Sequence, residues 1–168
     1  MARHTLDRVD RLDRLGIDVA LLEAAPPGTL PTVFDQRNLS LAEASVNALR
    51  ALDVLPRLRM PTGPITRIHI SREGDFGRVL LNASDYGRPA FGQVVVARDF
   101  GDALESKLSS LSRLKRDRPT RFLGFVEDGV DSLRRVRVAD DAGERVIAAR
   151  LVVAADGAAS AVRGALGI

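Results

Sequence analysis

Hydrophobic positions in this chain recur with two periods, and the switches between them mark its elements. In "TLDRVDRLDRLG", Leu6, Val9, Leu12 and Leu15 fall along one side of a helix, with Asp7–Arg11 and Asp10–Arg14 as i,i+4 ion pairs on the polar side. Gly16 stands where a C′ glycine ends a helix. "IDVALLEA" is almost wholly apolar and closes in Glu23, a pattern that suits a parallel strand covered on both faces. The prolines of "APPGTLPTV" mark a loop. "SLAEASVNALRALDVLP" predicts a helix opened by a Ser40/Glu43 capping box and stopped before Pro56. "ITRIHIS" and "GRVLLN" flank "REGDF" and predict a β-hairpin with His69 on its wetter face. "QVVVA" predicts a further strand, and the helix after it takes Asp99 as its N-cap.

The last third is strand-rich. "RFLGFVED", "SLRRVRVAD" and "RVIAARLVVAAD" are separated by Asp128-Gly129 and by "DDAG", both hairpin signals. The run "LVVAAD" then turns at Gly157 into a short helix, "SAVRGAL". There is no internal repeat. The order of elements predicts a mixed α/β fold with an inserted antiparallel portion.

Composition narrows the function classes. The chain has 168 residues, 45% of them hydrophobic and 28% charged, which predicts one globular domain, or one with a small subdomain attached, rather than disorder. It has no cysteine, so disulfides, thiolate catalysis and cysteine-ligated metal sites are excluded. No apolar run approaches a membrane span and no signal-peptide core is visible, so the expected location is cytoplasmic. The net charge of +3 raises nucleic acid as a partner, but the basic residues are dispersed among 22 acids. The densest basic stretch, "SRLKRDRPTR", has no aromatic to stack a base and reads as a solvated loop, so no nucleic-acid partner is expected. His4 and His69 show no local metal-ligand spacing, and no nucleophile motif is present.

Four segments carry candidate chemistry. Glu23 ends an apolar strand, where an acid accepts hydrogen bonds from ribose hydroxyls; an ordinary solvated strand end has the same pattern. A G-x-G-x-x-G loop ought to precede such an acid, yet Gly16 is the only glycine before it. At "ADGAASAVR", Asp156 and Gly157 lead into a helix start that can face a phosphate, with Arg163 as a brace; a tight turn with a capping Asp is the alternative. Arg37 precedes the Ser40 helix, and a guanidinium there can reach a phosphate or carboxylate. Gln93 opens a strand and can offer a bidentate amide, although either residue can equally be an exposed side chain.

These segments, in this order, resemble the flavoprotein aromatic hydroxylases, the FAD-dependent class A monooxygenases. "GIDVALLEA" resembles the family's second Rossmann strand with its ribose acid, here Glu23. "FDQRNLSLAEASVNALRALDVLP" resembles the ubiquinone-pathway form of the next segment, with Arg37 at the flavin-contacting arginine. "FGQVVVARDFGDAL" resembles the strand and helix whose glutamine, here Gln93, touches the cofactor. "LVVAADGAASAVR" resembles the Asp-Gly motif that serves both FAD and reduced nicotinamide, through Asp156 and Gly157.

The resemblance covers roughly residues 12–168 and implies an incomplete Rossmann-like FAD-binding domain. The expectation is that "MARHTLDRVD" stands in place of the family's first strand and glycine loop, that residues 1–11 are a non-homologous start, and that the substrate domain and C-terminal half lie outside this chain. It implies FAD as cofactor, NAD(P)H as co-substrate, a phenolic substrate and no catalytic side-chain nucleophile. The ubiquinone branch implies a polyprenylated phenol and peripheral contact with the inner membrane.

Overall fold

The computed structural model describes residues 2–26, 37–74, 76–126 and 132–168. In chain order the elements are α1 (Ala2–Arg14), β1 (Val19–Leu22), β2 (Asn38–Ala42), α2 (Glu43–Ala51), β3 (Gly63–Pro64), β4 (Arg67–Ile70) and β5 (Val79–Asn82). They continue with β6 (Gly92–Val96), α3 (Ala97–Ser109), β7 (Leu114–Asp117), β8 (Arg121–Val126), β9 (Arg134–Asp140), β10 (Gly143–Ala149) and α4 (Ala161–Ala165). This is the expected mixed α/β fold. It divides into two compact units, Met1–Thr29 with Leu111–Ile168, and Leu30–Ser110.

In the first unit, α1 closes as the sequence predicts. Gly16 has φ +72°, its N–H donates to the Asp13 carbonyl (3.0 Å), and the Ile17 N–H donates to the Leu12 carbonyl (2.9 Å). That is the Schellman pattern, which needs the left-handed residue only glycine adopts cheaply. Leu6 and Val9 are buried, but Leu15 lies past the helix end and is 72% exposed. The Asp7–Arg11 and Asp10–Arg14 pairs form at 3.2 and 2.9 Å.

β1 pairs in parallel with β7, in register from Val19↔Leu114 to Leu22↔Asp117. This corrects the reading of "SRLKRDRPTR" as a solvated loop. The stretch supplies a strand because its charges find partners: Lys115 pairs with Asp117 (3.4 Å), and Arg116 and Arg118 both meet Glu23. A second sheet, in the order β10-β9-β8, is antiparallel, with Val136 and Val138 buried. The "DDAG" turn joins β9 to β10 as predicted: Asp140 accepts from the Ala142 N–H (2.9 Å) and Gly143 takes φ +116°. The Asp128-Gly129 turn falls outside the described residues.

The predicted strand "LVVAAD" does not form. β10 ends at Ala149, and residues 150–155 belong to no ladder among the described residues. Apolar content alone does not make a strand where no neighbouring edge offers hydrogen bonds, and Leu151 stays 74% exposed. The short helix α4 follows as expected, packed against β8 through this part of the chain.

In the second unit, β6 is the centre of an antiparallel sheet, flanked by β2 and β3. The Ser40/Glu43 capping box is not made. Asn38–Ala42 is a strand, α2 begins at Glu43, and its N-cap is Ala42 without a side-chain bond. Two-residue alternation prevails here because Leu39 and Leu41 face Val95 and Gln93 across the pair. The Glu43 N–H is satisfied by the Phe91 carbonyl (2.9 Å), and the Glu43 carboxylate pairs with Arg88.

Nor is Asp99 an N-cap. α3 starts two residues earlier, at Ala97, and the buried Asp99 carboxylate accepts from the N–H groups of Arg59 (3.1 Å) and Met60 (2.9 Å). The hairpin of β4 and β5 forms as predicted with His69 exposed, although Ile70 is exposed beside it. The buried side chains of this unit include Val46, Leu49, Val54, Val95 and Ala103.

Candidate functional site

Glu23 is the best-built of the predicted positions. Its N–H donates to the Asp117 carbonyl (3.1 Å), and its carbonyl accepts from the Thr120 N–H (2.8 Å). The backbone of the acid is thus clamped on both sides where β1 ends. Leu21 registers with Arg116, and strand alternation puts residues 21 and 23 on one face with residues 116 and 118. Arg118 Nη1 donates to Glu23 Oε2 (3.1 Å), and Arg116 Nη2 lies 3.6 Å from the same oxygen. The two arginines are only 14% and 15% exposed, and Glu23 is 30% exposed. Beside them a shallow cavity of about 310 Å³ is lined by Arg116, Arg118, Thr120, Asp140, Asp141 and Arg145.

In the same unit, Asp156 and Gly157 lie in an exposed loop rather than at a strand end. Asp156 Oδ1 accepts from the Ser160 hydroxyl (2.6 Å) and Oδ2 from the Val162 N–H (3.2 Å). The Ser160 bond, foremost, holds the Asp156 carboxyl below its ordinary pKa, together with backbone donors at Val162 and Ala161. Ser160 Oγ in turn accepts from the Arg163 N–H (3.0 Å), and the Arg163 guanidinium binds the Ala158 carbonyl. Ser160 is thus the N-cap of α4, and Asp156 supports it from the preceding loop by accepting from the Ser160 hydroxyl and the Val162 N–H. Gly157 has φ +92° with no atom within 4 Å of where a Cβ would stand, so its backbone is open to close approach.

Arg37 and Gln93 lie in the second unit. Arg37 is exposed immediately before β2, and its carbonyl accepts from the Ala97 N–H (2.8 Å). Gln93 is half-buried in β6 opposite Leu41. Positions 37 and 41 are separated by about 13 Å at the usual strand rise, so a ligand touching both must run along the sheet.

Similarity to known proteins fits this arrangement. Residues 10–168 match the family model described as the FAD binding domain. The chain belongs to that family. It is 27% identical over 157 residues to an uncharacterized protein, slr1300, of Synechocystis, covering 94% of this chain and 37% of that one. Its fold superimposes on p-nitrophenol 4-monooxygenase from Pseudomonas putida with a TM-score of 0.75 at 19% identity, over 96% of this chain and 40% of the enzyme. It likewise matches CabE, an aromatic hydroxylase of angucycline biosynthesis, with a TM-score of 0.71 at 24% identity, over 96% of this chain and 30% of that one. The chain thus spans well under half the length of these proteins.

FAD is the family's cofactor, and the residues present are of a kind that can hold it: an acid at the end of a parallel strand and an open glycine backbone at residue 157. No G-x-G-x-x-G occurs in the sequence, so this chain shows no glycine loop for the pyrophosphate. Sequence reasoning missed Arg116 and Arg118. Their signal was the alternation through Leu114, Arg116 and Arg118 next to acidic Asp117, which a count of charges conceals. Among the described residues there is no cluster of metal-ligating side chains and no helix long and apolar enough to cross a membrane.

Proposed function

We propose that residues 1–168 form part of the FAD-binding domain of an NAD(P)H-consuming monooxygenase that hydroxylates a phenolic ring. Glu23 carries the reading: a family match to an FAD-binding domain coincides with a clamped acid at the end of a parallel strand. In this reading Glu23 Oε1 accepts from the ribose hydroxyls of the adenosine half. Gly157 lets cofactor phosphate or ribityl approach its backbone, while Asp156 shapes that loop. Arg37 and Gln93 each contact the flavin. When bound, FAD supplies the redox chemistry, taking hydride from NAD(P)H and delivering one oxygen of dioxygen to the ring. The chain's residues bind and orient it.

The narrower reading is a polyprenylated phenol of ubiquinone biosynthesis, with peripheral contact at the inner membrane. It rests on the likeness around Arg37. Cosedimentation with anionic liposomes tests the membrane part, and failure to sediment removes it.

The alternative is a noncatalytic nucleotide-binding or interaction remnant of the same fold. It would bind the nucleotide without oxidising NAD(P)H. Titration of the chain against FAD, followed by flavin fluorescence, tests the main reading. E23A should weaken FAD binding about tenfold, as loss of hydrogen bonds to a charged group does, and leave FMN, which lacks adenosine, unaffected. Equal FAD affinity of E23A and wild type would refute the assignment of Glu23.

A further inference from the structure

Resting on that adenosine reading, we infer that Arg118, supported by Arg116, is a positioning residue that fixes the Glu23 carboxylate and so sets the preference for an intact ribose diol. The two guanidiniums reach Glu23 because residues 21, 23, 116 and 118 share one face of the β1–β7 pair. Arg118 donates to Oε2, and Arg116 lies near the same oxygen. Asp117, between the two arginines in sequence, alternates to the other side and pairs with Arg145 and Lys115, each at 3.4 Å. It does not draw the guanidiniums off Glu23.

The arginines are mostly buried, and Thr120, whose N–H holds the Glu23 carbonyl, is buried too. A glutamate in water samples several rotamers, and a ligand that needs one of them has to order the rest. Here that ordering is done in advance by a charge-assisted hydrogen bond and an ion pair on a clamped backbone. A cis-diol donating to the carboxylate then meets an acceptor already in place. A nucleotide without the hydroxyls gains nothing from it.

The test compares AMP with 2′,3′-dideoxy-AMP on the full chain, by amide shifts in two-dimensional NMR. Wild type should bind AMP about tenfold more tightly than the dideoxy analogue, the loss typical of a hydrogen bond to a charged group. R118A should bring that ratio close to one while leaving dideoxy-AMP affinity unchanged. R118K, which keeps the charge without the planar fork, should restore part of the ratio, and R118Q should restore less.

A general loss of structure in R118A would lower both affinities together. The ratio therefore separates positioning from folding, and the better-tolerated R118K and R118Q decide the matter if R118A unfolds. An R118A, R118K and R118Q series that all keep the wild-type ratio overturns the role of Arg118 while leaving Glu23 in place. A wild-type ratio of one, with E23A unchanged, overturns the adenosine reading itself and this inference with it.

Discussion

Gly92 lies where two hydrogen-bonded neighbours leave no room for a side chain. It pairs with Ala42 at the end of the β2–β6 ladder, and a Cβ built on it would sit 2.0 Å from the Leu41 carbonyl oxygen and 3.1 Å from the Ala42 Cα. Real Cβ atoms essentially never come within 3.0 Å, so the backbones must separate by at least 3.0 − 2.0 = 1.0 Å. Gly92 cannot simply retreat. On its other side its carbonyl accepts from the Ile65 N–H (3.0 Å), and next to it the Phe91 N–H donates to Ile65 (2.8 Å). A movement of that size takes a bond near 2.9 Å out of hydrogen-bonding range. Overpacking costs about 1–3 kcal/mol, and each net hydrogen bond lost adds about 1 kcal/mol. G92A should therefore lose about 2–4 kcal/mol.

G63A is the control in the same sheet. Its Cβ would meet only Val94 Cβ, at an ordinary 3.9 Å, and Gly63 has no positive φ. It should be neutral or stabilise by about 0.5 kcal/mol through the unfolded state. With a urea slope of about 2 kcal/mol per molar, the two midpoints should differ by about 1–2 M in a far-UV circular dichroism titration. A G92A midpoint at or above that of G63A would refute the packing argument.

Two further outcomes follow from the same kind of reasoning. Asp99→Ala leaves the Arg59 and Met60 N–H groups without their acceptor and should destabilise by about 2 kcal/mol or more, whereas Asp99→Asn should keep part of that; urea midpoints within experimental error of wild type for the alanine variant would contradict it. Ser160→Ala removes the first cause of the lowered Asp156 pKa, so that pKa should rise toward the ordinary 3.8 in a carboxyl-carbon NMR titration, and an unchanged midpoint would dismiss the bond. The sign is that of a depressed carboxylate: the stabilisation from Ser160 is present above the unfolded pKa and disappears as pH falls through the folded one. The Ser160→Ala defect should accordingly be largest at neutral pH and shrink in acid to the part due to the lost cap on the Arg163 N–H.

What the sequence disclosed and what it concealed divide along physical lines. Signals contained within one turn of chain were legible. Gly16 ended α1 because a left-handed C′ residue is a local requirement, and "DDAG" made its hairpin because Asp140 bonds its own neighbouring backbone. Signals that depend on a distant partner were not. Ser40 and Glu43 have the spacing of a capping box, yet a strand one position over in space, β6, offered Asn38–Ala42 a ladder worth more than one cap. "LVVAAD" has every local mark of a strand, yet it pairs with no strand among the described residues.

The site obeys the same division. The position of Glu23 was legible because it is an end, the point where an apolar run stops. Its surroundings were not, because Arg116 and Arg118 stand almost a hundred residues later and reach it only through parallel pairing. In a charge count those arginines add to a basic stretch; in the fold both meet the Glu23 carboxylate. The local net charge therefore misstates the electrostatics around Glu23, whose carboxylate is paired with Arg118 on a clamped backbone. For the same reason substitutions at Arg118 should be read by which nucleotide they reject and not by how tightly the chain binds anions in general.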